Sequence, residues 1–242
     1  MSPSLVPFVP PLLLQAGSSA AGAKLGNLYD LILAGGPLMV PIALCSIVAL
    51  GYFVERLGAL SSGRLAPGSF RDGLAQALAQ GAPAALAFCE KQPKVALARV
   101  MAAGLRRYHE GRVDIERAVE DAGGREVAAM TRGLRPLLII TAIAPLLGLL
   151  GTVTGMIKSF QVMALQHGAG KPDLLAGGIA EALVTTAAGL FVAIPVQVLY
   201  YWFRGKVDRF AATSETVFDQ VLGRALEARG AAAGAANQPQ AA

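Results

Sequence analysis

Three long apolar runs divide this chain, each closed at both ends by a charged residue. The first extends from Leu31 to Val54 between Asp30 and Glu55, and the second from Pro136 to Ile157 between Arg135 and Lys158. The third extends from Ala182 to Phe203 between Glu181 and Arg204, with its helix expected to open near Gly178. Each is long enough to cross a bilayer, which needs about 20 apolar residues in helical form. The pattern predicts an all-α membrane protein with spans over 31–54, 136–157 and 178–203.

The intervening segments also carry helical signals. Within 55–135, "SFRDGLAQALAQ" and "APAALAFCEKQPKVALARVMAAGLRRYHE" read as helices broken at Gly81 and Pro93. Asp114 is placed to cap "IERAVEDAGGREVAAMTRGLRP", which leads directly into the second span, and Gly123-Gly124 weakens that helix locally. Residues 158–177 are expected to form an outer loop. After the third span, Val207, Phe210, Ala211, Ser214, Val217, Phe218, Val221 and Leu222 recur at helical spacing. The span is therefore expected to continue as an amphipathic cytoplasmic helix over 204–229. From Gly230 onward, "GAAAGAANQPQAA" is low in complexity and reads as a disordered tail.

Composition strengthens the membrane assignment. Of 242 residues, 54% are hydrophobic and 15% charged, against about 25% charged in soluble domains. The net charge of +5 does not indicate a nucleic-acid partner, because its distribution follows the spans. Thirteen of the 21 Lys and Arg residues lie from Glu55 to Arg135, and five more follow Phe203. Positive residues mark the cytoplasmic side, which places the amino terminus outside and the carboxyl terminus inside. Arg56, Arg132, Arg135, Arg204 and Lys206 all flank span ends on that inner side.

The opening residues lack a basic front before Lys24, and Pro3, Pro7, Pro10 and Pro11 interrupt their apolar stretch. They do not match a signal peptide. Residues 1–30 are expected to form an external Pro-rich tail ending in a short surface helix. Cys45 and Cys89, one in a span and one in the long loop, do not suggest a disulfide framework.

Candidate chemistry is concentrated in the second and third spans. "APLLGLLGTVTGMIKSF" places small residues four apart, as Gly148 with Thr152 and Gly151 with Gly155. In lipid, such spacing permits the close backbone approach that holds helices together. Gly148, Gly151 and Gly155 thus read as a packing seam.

Two threonines can carry a further role. Thr152 follows Arg135 by 17 residues, and Thr186 precedes Arg204 by 18. At 1.5 Å per residue, both hydroxyls stand roughly 26 Å from the inner basic markers. Antiparallel helices can present them at one level, where copies in a closed ring would form a polar ring. The alternative is a hydroxyl bonded back to its own helix.

Glu181 and Lys158 each lie 23 residues from their inner markers, roughly 35 Å along the helix. Glu181 is either an outer-boundary carboxylate paired with Lys158 or a carboxylate facing a polar pathway. Thr186 points about 140° away from Glu181 on an ideal helix. Both cannot face one narrow pore squarely unless one lies at a subunit interface.

His109 and His167 are isolated and have no ligand-spaced partners. The glycines at 148–155 fall within a span rather than between a strand and a helix, so they are not a phosphate loop. No enzyme, metal site or cofactor is expected.

"APLLGLLGTVTGMIKSF", "GIAEALVTTAAGLFVAIPVQVLYYW" and "GGPLMVPIALCSIVALGYFVERLGAL" resemble the ExbB/TolQ/MotA family of proton-channel proteins. The resemblance covers all three spans, their order and the large first cytoplasmic loop. Three spans look more like ExbB than the four-span MotA, with TolQ the nearer competitor.

The resemblance implies a pentameric, ring-like assembly around two copies of a single-span partner similar to ExbD or TolR. It implies residence in the bacterial inner membrane, protons as the transported ion, and coupling to outer-membrane uptake through a TonB-like protein. The TolQ-like alternative implies a TolA-like protein in that place. The family's functional positions carry over to Thr152, Glu181 and Thr186.

The residues themselves also call for a partner. A threonine hydroxyl can hydrogen-bond a proton-carrying acid but cannot serve as one near neutral pH, so a carboxylate from another chain would complete a pathway at that depth. A passive oligomeric scaffold would use the same glycines without conducting. A solute transporter fits less well, because the three spans show no inverted repeat.

Overall fold

The computed structural model describes residues 35–165, 172–223 and 226. The tails expected over 1–30 and 230–242 lie outside the described residues. The helices are α1 (Met39–Ala59), α2 (Ser62–Leu65), α3 (Gly68–Ala79), α4 (Ala82–Glu90), α5 (Ala96–Arg106), α6 (Arg112–Leu165) and α7 (Pro172–Val217). A π-helical turn at Phe218–Gly223 follows α7, and the described residues contain no strand. Three helical stretches, in α1, in α6 and from α7 into the π-turn, are long and apolar enough to cross a membrane.

Several boundaries differ from the sequence expectation for physical reasons. The first helix opens at Met39 because Gly36, at φ +66°, turns the backbone ahead of it. Asp114 does not cap α6; it lies in the first turn of a helix that starts at Arg112. Gly111 accepts the amides of Asp114 and Ile115 at 3.1 and 3.2 Å. The carboxylate in that first turn has a favourable position near the positive end of the helix dipole.

The segment expected as an outer loop is largely helical. α6 continues to Leu165, and α7 begins at Pro172. Lys158 ends the apolar run, but lysine is a good helix former and no breaker follows before Leu165. Proline at the first position of α7 loses no hydrogen bond that the helix would have made.

The chain divides into two compact units, one of residues 1–40 and 148–188 and the other of 41–147 and 189–242. The second contains most of the core. Phe70, Leu74, Leu97, Val100, Met101, Ile115, Leu134, Leu137 and Phe203 are all almost completely buried. Outside the spans, each such side chain contributes about 1.5–3 kcal/mol relative to exposure to water.

Gly104 brings α5 close to α6. A Cβ there would fall 2.5 Å from Val119 and 3.3 Å from both Ile115 and Leu222. Arg99 forks onto both Glu126 oxygens at 2.6 and 2.7 Å and also donates to the Pro93 carbonyl at 2.6 Å. The hydrogen bond to Glu126 raises the Arg99 pKa further, against the opposing effect of burial.

In the last part of α7 and its π-turn, Val207, Phe210, Ser214, Val217, Phe218, Val221 and Leu222 are buried. These form the apolar stripe expected from helical spacing. Elsewhere in this unit, large apolar side chains point outward. Ile47 and Leu50 on α1, Ile139 on α6 and Phe191, Ile194 and Val198 on α7 are exposed. Such a surface suits lipid or another chain rather than water.

The first unit is built on small residues. Gly148, Gly151 and Gly155 on α6 are buried, as are Ala182 and Thr185 on α7. A Cβ on Gly148 would lie 3.0 Å from the Thr185 carbonyl oxygen and the Thr186 Cα. One on Gly155 would lie 2.9 Å from the Gly178 carbonyl oxygen and 3.0 Å from the Ala182 Cβ. The two backbones approach too closely for larger residues, as helix association in lipid requires.

Candidate functional site

The α6–α7 seam of the first unit brings together polar groups from both helices. The Thr186 hydroxyl donates to the Gly148 carbonyl at 3.0 Å, joining α7 to α6. In a regular helix that same carbonyl accepts the Thr152 amide. Thr186 and Thr152 therefore converge on one backbone oxygen through different donors. The Thr152 hydroxyl instead turns to its own helix and donates to the Leu149 carbonyl at 2.7 Å. Such a back-bond satisfies the hydroxyl locally in lipid.

Thr185 is the more deeply buried neighbour. Its hydroxyl lies against Gly151 and donates within α7 to the Glu181 and Ala182 carbonyls at 3.1 and 2.9 Å. On α6, Ser159 is also buried, donates to the Gly155 carbonyl at 3.0 Å and rests against Gly178. Thus the seam runs along Gly148, Gly151, Gly155 and Ser159 on one side and Gly178, Ala182 and Thr185 on the other. Sequence reading missed Gly178, Ser159 and Thr185 as seam residues. Continuing the four-residue spacing from Gly155 reaches Ser159 on α6, and Gly178 with Ala182 repeats that spacing on α7.

Glu181 pairs with Lys158 across the same two helices, with Nζ 2.6 Å from Oε1. The Glu181 side chain is mostly buried, whereas about half of Lys158 is exposed. Gly36 faces the carboxylate, and a Cβ there would collide with Oε1. The sequence left pairing and pathway exposure of Glu181 open. The structure joins Glu181 to Lys158 and places it at the end of a seam that also contains the Thr186 clasp.

Chemistry outside this seam is sparse. A groove of about 580 Å³ in the second unit is rimmed by Glu116, Glu120, Glu215 and Asp219 over a floor that includes Val119 and Phe218. Cys89 is buried, and burial followed by the neighbouring Glu90 charge pushes its thiol pKa up to about 11. A thiol so protonated is a poor nucleophile at neutral pH. Among the described residues, no group of three or more His, Cys, Asp or Glu is arranged to hold a metal ion.

These features define an α-helical membrane-protein class: helices able to span a bilayer, joined by a small-residue seam and carrying few polar groups within it. A model of the MotA/TolQ/ExbB proton channel family matches residues 92–216. The biopolymer transport protein exbB1 of Vibrio cholerae is 35% identical over 200 residues, covering 77% of this chain and 83% of that protein. The biopolymer transport protein ExbB of Salmonella typhimurium is 44% identical over 102 residues, covering 40% of this chain and 41% of its own. The chain belongs to the MotA/TolQ/ExbB proton channel family.

Proposed function

We propose that this chain is an ExbB-like subunit of a proton-driven membrane motor. Five copies form a ring around two copies of a single-span ExbD/TolR-like partner in the bacterial inner membrane. The amino terminus is periplasmic, and the carboxyl terminus and the helical extensions are cytoplasmic. Protons are the transported ion, and no cofactor takes part. The motion of the partner energises outer-membrane transport through a TonB-like protein. ExbB-named relatives support this reading; the alternative is a TolQ-like subunit acting through a TolA-like protein.

The observation that carries the reading is the polar strip on an otherwise apolar helix pair. Thr186 ties α7 to the Gly148 carbonyl of α6, Thr152 lies one turn further along α6, and Lys158 and Glu181 join the same two helices through their side chains. Groups of this kind are costly within a membrane and usually serve a pathway or a coupling step. A hydroxyl can relay or orient a proton held by a carboxylate, and that carboxylate comes from the partner's span. One charge crossing 100 mV releases about 2.3 kcal/mol, enough to bias a conformational step.

The test is dye-reported proton flux into liposomes containing the chain with its single-span partner. The Thr152→Val, Thr186→Val double variant should assemble and lose flux. Wild-type flux in that variant would remove both hydroxyls from the mechanism. A wild-type complex that assembles but carries no partner-dependent flux would favour a passive scaffold.

A further inference from the structure

We propose that Lys158 is the positioning residue for the Glu181 carboxylate, and that the Gly35–Gly36 turn is shaped to hold that pair together. This inference rests on Glu181 serving the proton pathway. Three observations within one compact unit converge on it. Lys158 on α6 reaches Glu181 on α7 at 2.6 Å, so the contact ties the two helices as well as two charges. Glu181 is the more buried partner, which makes its orientation depend on what touches it. Gly36 lies against the carboxylate oxygen from a third direction.

The turn meets this role through its backbone. Gly36 has φ +66°, a region that side-chain-bearing residues rarely adopt. Even without that preference, a Cβ would occupy the place of the Glu181 oxygen. Backbone conformation and available space thus independently require glycine at position 36.

The turn is fixed on both sides. Gly35 is buried, with its Cβ position 3.3 Å from Val184 and closer still to the Met39 side chain. The Gly36 carbonyl accepts the Met39 amide at 3.2 Å. The start of α1 is therefore fitted over Glu181 and limits the directions its carboxylate can take. Lys158 meets the same carboxylate from α6.

Energetics explain why both parts are needed. A carboxylate removed from water is unfavourable unless a partner and good geometry compensate for it. Lys158 provides the opposite charge, with its side chain about half exposed. The result is a Glu181 carboxylate held against Lys158 in one defined orientation. Without Lys158, the carboxylate would rotate among several orientations. With a side chain at position 36, it would be displaced while both charges remained.

The test uses the full chain with its single-span partner in liposomes, and compares flux per assembled complex. Lys158→Met should lower flux about tenfold, which corresponds to about 1.4 kcal/mol, with subunit number unchanged. Lys158→Arg should restore most of the flux, because a cation again reaches the carboxylate. Gly36→Ala should reproduce the loss with both charges intact. Adding Lys158→Met to Glu181→Gln should cause no further loss, since both changes remove the same arrangement.

If Glu181→Gln lowers flux but Lys158→Met and Gly36→Ala do not, the positioning role is overturned and the pathway reading stands. If Glu181→Gln itself leaves flux unchanged, the role assigned to Glu181 fails, and this inference with it. Should Lys158→Met prevent assembly, Gly36→Ala decides alone, and unchanged flux in that variant overturns the proposal.

Discussion

The Thr186 hydroxyl is bonded across the seam to the Gly148 carbonyl, one turn of α6 before Thr152. This makes Thr186 a clasp between helices as well as a candidate pathway residue. Thr186→Val removes the clasp without orphaning the carbonyl, which still accepts an amide in its own helix. Hydrogen bonds between membrane helices are worth about 0.6–1.7 kcal/mol. The variant should therefore destabilise the helix pair by about that amount in a reversible detergent or bicelle unfolding assay. It should still form complexes, with reduced flux.

Gly151 should tolerate much less change than its neighbour. Its Cβ position is occupied by the Thr185 hydroxyl, whereas Leu150 is about half exposed. Gly151→Leu would force α6 from α7, and overpacking of this kind costs at least about 1–3 kcal/mol. Leu150→Ile should be mild. Size-exclusion chromatography and partner copurification distinguish the outcomes: the Gly151 variant should lose subunits, and the Leu150 variant should match wild type.

Cys89 should react slowly with alkylating reagents in the folded protein. Its pKa rises from 9.0 to about 11, first through burial and then through the Glu90 charge. The folded state therefore retains the thiol proton more strongly than the unfolded state does. This contribution to stability is fully present below about pH 9 and is lost as pH rises towards about 11. Melting temperature measured across that window should fall less for Cys89→Ala than for wild type, measured from their respective values at pH 8. Rapid labelling of native Cys89 at pH 7 would contradict its burial.

Membrane orientation can be tested on a background lacking Cys45 and Cys89. Single cysteines at Ser18 and His167 should react with an impermeant reagent from the periplasmic side. Those at His109 and Ala235 should react only from the cytoplasmic side. Exclusive cytoplasmic labelling of His167→Cys would reverse the arrangement.

The sequence made the large-scale organisation readable because membrane helices must satisfy their backbone internally and cover it with apolar side chains. Outside the spans, the Gly81 and Pro93 breaks exposed α3, α4 and α5, and helical spacing exposed the buried register from Val207 to Leu222. Helix ends were less readable. Lys158 marks the end of an apolar run, but α6 continues to Leu165, since hydropathy records preference for lipid and not the course of the backbone.

The rotation of α7 was also hidden. Thr185 and Thr186 differ by one residue, or about 100° around the helix. The positions of Gly178 and Ala182 determine which hydroxyl enters the seam and which reaches Gly148. The contact between Glu181 and Gly36 depends on chain segments far apart in sequence and on a positive φ. Neither is visible in a local pattern.

The closeness of the seam has a genetic consequence. Thr185 and Ser159 satisfy their hydroxyls within their own helices, and the glycines leave almost no space between α6 and α7. The contact inside one copy is therefore too closed to serve as a conduit, and in the proposed ring the proton route would run along surfaces that several copies or a partner share. In such an assembly, a well-folded but inactive subunit is more harmful than a missing one. Coexpressed with wild type, the Thr152→Val, Thr186→Val chain should enter mixed rings and act dominantly. Activity should then fall faster than the fraction of wild-type subunits. Gly151→Leu, which fails to join the ring, should behave as recessive.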